Sequence, residues 1–169
     1  MNHDIGRRHI GRSPTYVFHE ASPTAEEVYG KGSYALFFNI QAPLTIVAGR
    51  LGRVTVPEGW AIYVGSALGP GGLQARLRRH RAPTKHPHWH VDALSCQQSP
   101  AFWLYLPDGT RRECDWAQAL AAHPLAEIPA KGFGSSDCTR GCPAHLIAFP
   151  RAVSLTTLVQ RIEATAGPP

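Results

Sequence analysis

Apolar positions along this chain fall into short runs of two kinds. Residues 34–40 (YALFFNI) are almost continuously apolar and aromatic, the pattern of a strand buried on both faces. Residues 44–48 and 53–56 read as a second and third strand, turned by Gly49 to Gly52, and Pro57-Glu58-Gly59 marks a further turn. Residues 60–66 (WAIYVGS) predict a fourth strand, 101–106 (AFWLYL) a fifth and 144–149 a last one. Helical spacing lies between them. Leu73 and Leu77, four apart, give a buried stripe to a helix over 73–81. A second helix over 112–122 turns Ala and Leu inward and ends at His123-Pro124. Ser154 is the expected N-cap of a terminal helix over 154–166. Residues 91–94 are either a short helix or an extended piece, and 132–136 form a loop.

The order is strands, helix, strand, helix, strand, helix, without internal repeat. It predicts one domain of the α+β class, packed in layers. Residues 1–28 carry His3, Arg7, Arg8, His9 and Arg12 without apolar periodicity, so a flexible tail is expected there. The domain is expected over 29–169, its first strand starting near Gly32.

Composition narrows the class. With 169 residues, 43% hydrophobic and 17% charged, the chain can bury one proper core and lies outside the disordered range. It contains no apolar run of about 18 residues and no apolar leader, so no membrane partner is expected and a cytoplasmic location is. Cys96, Cys114, Cys138 and Cys142 then read as reduced thiols.

Charge changes the picture further. Lys plus Arg number 17 against 12 Asp plus Glu, a net charge of +5, with nine His in addition. Arg76, Arg78, Arg79, Arg81 and Lys85 crowd into one stretch, interleaved with His80, His86, His88 and His90. Such a cluster suits a phosphate-rich partner, because the guanidinium fork grips phosphate at two points. The cluster follows a turn containing Gly65, Ser66, Gly69, Gly71 and Gly72, where backbone can approach a bulky anion at a helix start. No Lys-Ser or Lys-Thr follows these glycines, which argues against a triphosphate-binding loop and for a phosphodiester ligand.

Gly32-Ser33-Tyr34, then Tyr63-Val64-Gly65-Ser66-Ala67, then Arg76 with His80 one turn later, then Glu113, form an ordered set. This set resembles the GIY-YIG nuclease superfamily. Lys85-x-x-His88-Trp89-His90-Val91-Asp92, Glu113-Cys114, the run from Gly132 to Cys138, and His145-Leu146 make it similar to the small, stand-alone Uri-type branch, over roughly residues 32–149. The resemblance implies a small mixed or antiparallel sheet flanked by helices, and an endonuclease hydrolysing phosphodiester bonds in nucleic acid, DNA before RNA, with one Mg²⁺ or Mn²⁺ ion. It implies catalytic roles for Tyr34, Tyr63, Arg76, His80 and Glu113. Two departures stand out: Ser33 replaces an apolar residue of the first motif, and the gap between the motifs is long enough for an added hairpin. No match is found for a late asparagine that some family members carry.

These residue types suit the chemistry. Glu113 offers Mg²⁺ a hard oxygen. Arg76 would clamp charge developing on the phosphoryl group. Tyr34 is the expected general base, its ordinary pKa of about 10 brought down by Arg76, His80 and the metal, while Tyr63 orients water or phosphate. Gly65, Ser66, Arg78, Arg79, Lys85, His88 and Trp89 are the expected phosphate or nucleic-acid contacts. Taken singly, the tyrosines also read as ordinary strand aromatics, Arg76 as a surface cation, and Glu113 as a helix-start carboxylate favoured by the dipole. In residues 85–92 (KHPHWHVD), Trp89 stacks on a base and His88 or His90 meets phosphate, or Trp89 anchors the core and the histidines satisfy local hydrogen bonds. Cys138-x₃-Cys142-x₂-His145, with Cys114 as a fourth ligand, fits zinc by ligand type, but lacks paired C-x₂-C knuckles. Two alternatives to a nuclease therefore stand: a non-catalytic nucleic-acid-binding module, and a zinc- or thiol-stabilised interaction domain.

Overall fold

The computed structural model describes residues 15–20, 23 and 27–166. Seven strands are β1 (Val17–His19), β2 (Gly32–Ile40), β3 (Leu44–Val47), β4 (Arg53–Val56), β5 (Gly59–Ala67), β6 (Phe102–Leu106) and β7 (Leu146–Phe149). Four α-helices are α1 (Gly72–Arg81), α2 (His90–Ser95), α3 (Glu113–Ala121) and α4 (Leu155–Glu163). Five strands form one sheet in the order β1-β6-β2-β5-β7, every pair antiparallel, while β3 and β4 make a separate hairpin. The fold class is α+β.

The central position of β2 follows from its sequence. Apolar residues on both pleats demand cover on both faces. Alternation then assigns the layers. Tyr34, Leu36 and Phe38 share one face with Ala61 and Tyr63, and pack under Leu73 and Leu77 of α1, Val91 and Leu94 of α2, and Ile46 and Val54 of the hairpin. Ala35, Phe37, Ile62 and Val64 face the other way, against Trp116 and Leu120 of α3 and Leu158 and Ile162 of α4. Trp116 is fully buried, and its truncation to Ala is expected to cost about 3–5 kcal/mol.

Three expectations are refined. Within the expected tail, β1 extends the sheet: Val17 pairs with Tyr105 and His19 with Trp103, and Phe18 stacks on Phe102. A three-residue edge strand is too short to show a period, and long-range pairing alone creates it. The tail's His3, Arg7, Arg8, His9 and Arg12 lie outside the described residues. The segment at 91–94 is helical, because the Asp92 carboxylate accepts from the backbone of His88 and Trp89 at its start. The terminal helix is α4 followed by a 3₁₀ turn over Ala164–Ala166, and Ser154 caps it by accepting from Thr157 N at 3.1 Å. Among the described residues, no helix is long and apolar enough to cross a membrane.

Candidate functional site

Antiparallel register sets Tyr34 opposite Gly65 at the centre of the sheet. The tyrosine ring runs across the space a side chain at 65 would occupy: a Cβ there would lie 2.5 Å from Tyr34 Oη and 2.6 Å from Cζ. Tyr34 Oη reaches His80 Nε2 of α1 at 2.8 Å. Arg76, one turn earlier on the same helix face, approaches the same oxygen as a donor. Tyr63 completes the group, its ring centroid 6.4 Å from those of both Tyr34 and His80. Gly134, with φ at +72°, lets the loop backbone lie against the Tyr63 ring, where a Cβ would meet Cε2 at 2.6 Å.

Burial controls the protonation of all three. Tyr34 is pushed up to about 12 by desolvation, against the pull of Arg76 and with a further push from Asp92 and Glu113. Arg76 lowers it as expected, but His80 is neutral, and one guanidinium does not offset complete loss of solvent. Tyr63 is raised well above its ordinary value, by burial first and by Tyr34 next. His80 is lowered to about 3 by burial and then by the Lys85 charge, so its imidazole is neutral. Its Nδ1 has no hydrogen-bond partner among the described residues.

Outside this trio lies a stack of cations on one indole. The Arg76 guanidinium carbon sits 4.1 Å from the Trp89 ring centroid and that of Arg79 4.7 Å. Arg76, Arg79 and Trp89, with Ala67, Gly69, Pro70, Gly72 and Ala75, line an open pocket of about 240 Å³. The start of α1 is not an open amide cradle: Gly72 N donates to Gly69 O, Leu73 N to Gly30 O and Ala75 N to Gly71 O. Positive potential in the pocket therefore comes from the two arginine side chains.

Asp92 organises this region. Its fully buried carboxylate accepts from Arg79 Nη2 at 2.7 Å, His88 N at 2.8 Å and Trp89 N at 3.0 Å, and lies 3.9 Å from Lys85 Nζ. Burial pushes its pKa up, but these donors win and hold it below its ordinary value. Lys85 departs from its expected role. Its ammonium donates to the carbonyls of Arg79, His80 and Ala82, so it caps the end of α1 instead of facing a ligand. Arg78 and His88 are exposed, the latter with its ring 5.0 Å from that of Trp89. His90 turns inward, accepting from Gly134 N at 3.0 Å.

Glu113 enters from the other side of the sheet. It opens α3, nearly buried, and its carboxylate takes a hydrogen bond from Ser66 Oγ and an ion pair from Arg111 at 2.9 Å. Ser66 faces Ser33 across the β2–β5 ladder, Oγ to Oγ 2.7 Å, and Ser33 Oγ accepts from Arg112 N at 2.8 Å. The residue that departs from the first motif is thus what fastens the start of α3 to the central strands. Alternation puts this serine pair on the face opposite Tyr34, so the structure gathers Tyr34, Tyr63, Arg76, His80 and Trp89 in one layer. Glu113 acts on both tyrosines through its charge. The sequence reading missed the roles of Ser33, Asp92 and Arg111; period-two alternation around Ser33 and Ser66 was the available signal.

Next to Glu113, Cys114 meets three other soft donors. Its Sγ is 3.5 Å from Cys138 Sγ and 3.8 Å from His145 Nε2. With Cys142 Sγ, these four atoms all lie within 4.8 Å of one another. All four cysteines are free thiols. Burial drives the Cys114 thiol up; for Cys138 the backbone amides of Cys142 and Arg140 outweigh burial and draw it down.

Fold and site together define a class: an α+β domain with a buried tyrosine–histidine pair beside a pocket arginine on one sheet face and a cysteine–histidine cluster on the other. The chain belongs to the family described as a domain of unknown function, DUF123, whose model matches residues 33–167. No curated protein and no solved structure matches it.

Proposed function

We propose that this protein is a divalent-cation-dependent endonuclease that cuts phosphodiester bonds in nucleic acid, DNA in preference to RNA, in the manner of the GIY-YIG enzymes its motifs resemble. One juxtaposition carries the reading: Tyr34 Oη, buried 2.8 Å from a neutral His80 Nε2, is acted on by Arg76, which lines an arginine-bearing pocket.

In this reading Arg76 and Arg79 leave the Trp89 faces to hold the phosphodiester, and a base takes their place on the indole. Tyr34 donates its O–H to His80 Nε2, which accepts because burial keeps the imidazole neutral. Its oxygen then takes a proton from water as its own passes to His80, a transfer that requires the bound phosphate to raise the imidazole from the value of about 3 that burial gives it. The resulting imidazolium balances that phosphate. Arg76 steadies charge on both the tyrosine oxygen and the phosphoryl group. Glu113 fits Mg²⁺ or Mn²⁺, hard ions that accept one carboxylate and keep most of their waters. Its Arg111 partner is 66% exposed and free to leave. The ion would supply a Lewis acid at the phosphoryl oxygen.

A second reading, binding without cleavage, is favoured by Glu113 engaging Ser66 on the face away from Tyr34. The test is cleavage of labelled single-stranded, duplex and branched DNA and of RNA, with Mg²⁺, Mn²⁺ or EDTA. Metal-dependent cutting lost in Arg76→Ala and Glu113→Gln is the expected result. Tight binding without cutting would establish the second reading, and equal cutting by the variants would remove the site assignment.

A further inference from the structure

We infer that Cys114, Cys138, Cys142 and His145 bind one Zn²⁺ ion in a tetrahedral Cys₃His site that clips the start of α3 to the loop before β7. The inference goes beyond the proposed nuclease reading and does not depend on it.

Geometry is the first argument. A Zn–S bond of about 2.3 Å requires a tetrahedral S···S edge of about 3.8 Å. The 3.5 Å separation of Cys114 and Cys138 sulfurs lies just under that edge, the 3.8 Å from Cys114 Sγ to His145 Nε2 just over the S···N edge of about 3.6 Å, and all four donor atoms stay within 4.8 Å. The sulfur separation is far beyond the disulfide length of about 2.05 Å.

Donor chemistry is the second. Three sulfurs and one imidazole nitrogen meet with no carboxylate in the group, a soft set that selects zinc over magnesium. His145 is oriented as ligating histidines are: Nε2 points at the sulfurs while the ring makes a hydrogen bond with the Gly134 backbone. On binding, each cysteine gives up its proton to solvent and ligates as thiolate.

Chain topology is the third. The ligands come from the first turn of α3, from both ends of the 138–142 loop and from the residue before β7. Other contacts already hold that loop beside α3: Arg140 pairs with Asp115 at 2.7 Å, Cys138 N donates to Ser135 O at 3.0 Å, Gln118 Nε2 lies 4.0 Å from Cys142 Sγ, and Cys142 Sγ lies 3.9 Å from Cys114 O. The clip adjoins the candidate site at two points. Cys114 follows Glu113, and His145 O accepts from Val64 N beside Tyr63. Zinc would therefore fix Glu113 and the Tyr63 strand in one frame.

The test is metal analysis of the full chain purified under reducing conditions without a metal-binding tag. One zinc per chain is expected. Exchange with Co²⁺ should give tetrahedral d–d bands and thiolate-to-cobalt charge transfer. Both should be lost in Cys138→Ser, at the least buried ligand, and kept in Cys96→Ser, at the exposed cysteine outside the cluster. A folded, fully reduced wild-type protein that holds no zinc and gives no tetrahedral cobalt spectrum would overturn the site. So would a Cys114–Cys138 disulfide found by mass spectrometry in the native protein. Because the wild-type measurement decides alone, a variant that fails to fold leaves the test intact. Cleavage and metal content are read separately, so loss of one does not entail loss of the other.

Discussion

The two faces of the sheet are made by the same strands, yet they treat buried polar groups in opposite ways. Beneath α1, burial drives Tyr34 and Tyr63 up and His80 down, so all three rest uncharged, and the buried anion Asp92 takes three donors on Oδ2 with Lys85 3.9 Å from Oδ1. Against α3, Glu113 keeps a partly exposed arginine partner, and its neighbours are soft donors gathered around one point. Neutral groups hydrogen-bonded to each other suit proton movement; clustered thiols suit a metal. Alternation along β2 and β5 separates the two chemistries by the thickness of one sheet.

Breaking the anchor of the first face should have the largest effect. Asp92→Asn leaves Lys85 and Arg79 beside an uncharged amide in a buried setting, and should cost about 3–5 kcal/mol in denaturant unfolding. A loss under about 1 kcal/mol would show that water serves these cations.

Arg76→Ala should reduce cleavage about 10²–10³-fold while leaving the unfolding midpoint nearly unchanged, because it removes a charge clamp and not a core group. A large drop in stability would recast Arg76 as a structural partner of Trp89.

Acid should weaken the first face. Unfolded His80 takes up a proton near pH 6.5 and folded His80 only near 3, so between those values the unfolded chain binds more protons and stability falls as pH falls. The limit is about 1.4 kcal/mol per pH unit for one group. His80→Gln should flatten the profile between pH 4 and 6.5, as measured by urea unfolding. Asp92, held below its ordinary value, adds its own loss only at lower pH, as it protonates.

Gly65→Ala should cost about 1–3 kcal/mol by forcing the Tyr34 ring away, and should lower cleavage with it. Unchanged activity would mean that the tyrosine position is not critical. The smallest effect belongs to the second face: Arg111→Ala removes a largely exposed partner of Glu113, which keeps its Ser66 hydrogen bond, and should change stability by less than about 1 kcal/mol. If Arg111 competes with a cation at Glu113, this variant should also need less Mg²⁺ for half-maximal cutting.

Much of the fold was legible because it rests on local pattern. The apolar run at 34–40, the turn glycines, the Leu73–Leu77 stripe and the Ser154 cap each act within a few residues, and the elements formed where they pointed. The site was legible only as a set of residue types. That Tyr34 sits at about 12 and that Ser33 holds α3 were not readable, because each depends on elements distant in sequence. Lys85 caps α1 through carbonyls three to six residues back, a local role hidden by the other cations around it.

Sequence by itself determined the α+β class, the two-sided burial of β2 and the presence of tyrosine, arginine, histidine and thiol chemistry in one chain, since composition and periodicity encode these locally. Tertiary structure alone decided which groups share a face. Strand register placed Tyr34 over Gly65 and Ser33 by Ser66, and chain packing brought Cys114 to His145 across 31 residues. It also decided their charge states, because desolvation is a property of the packed surroundings and not of the residue.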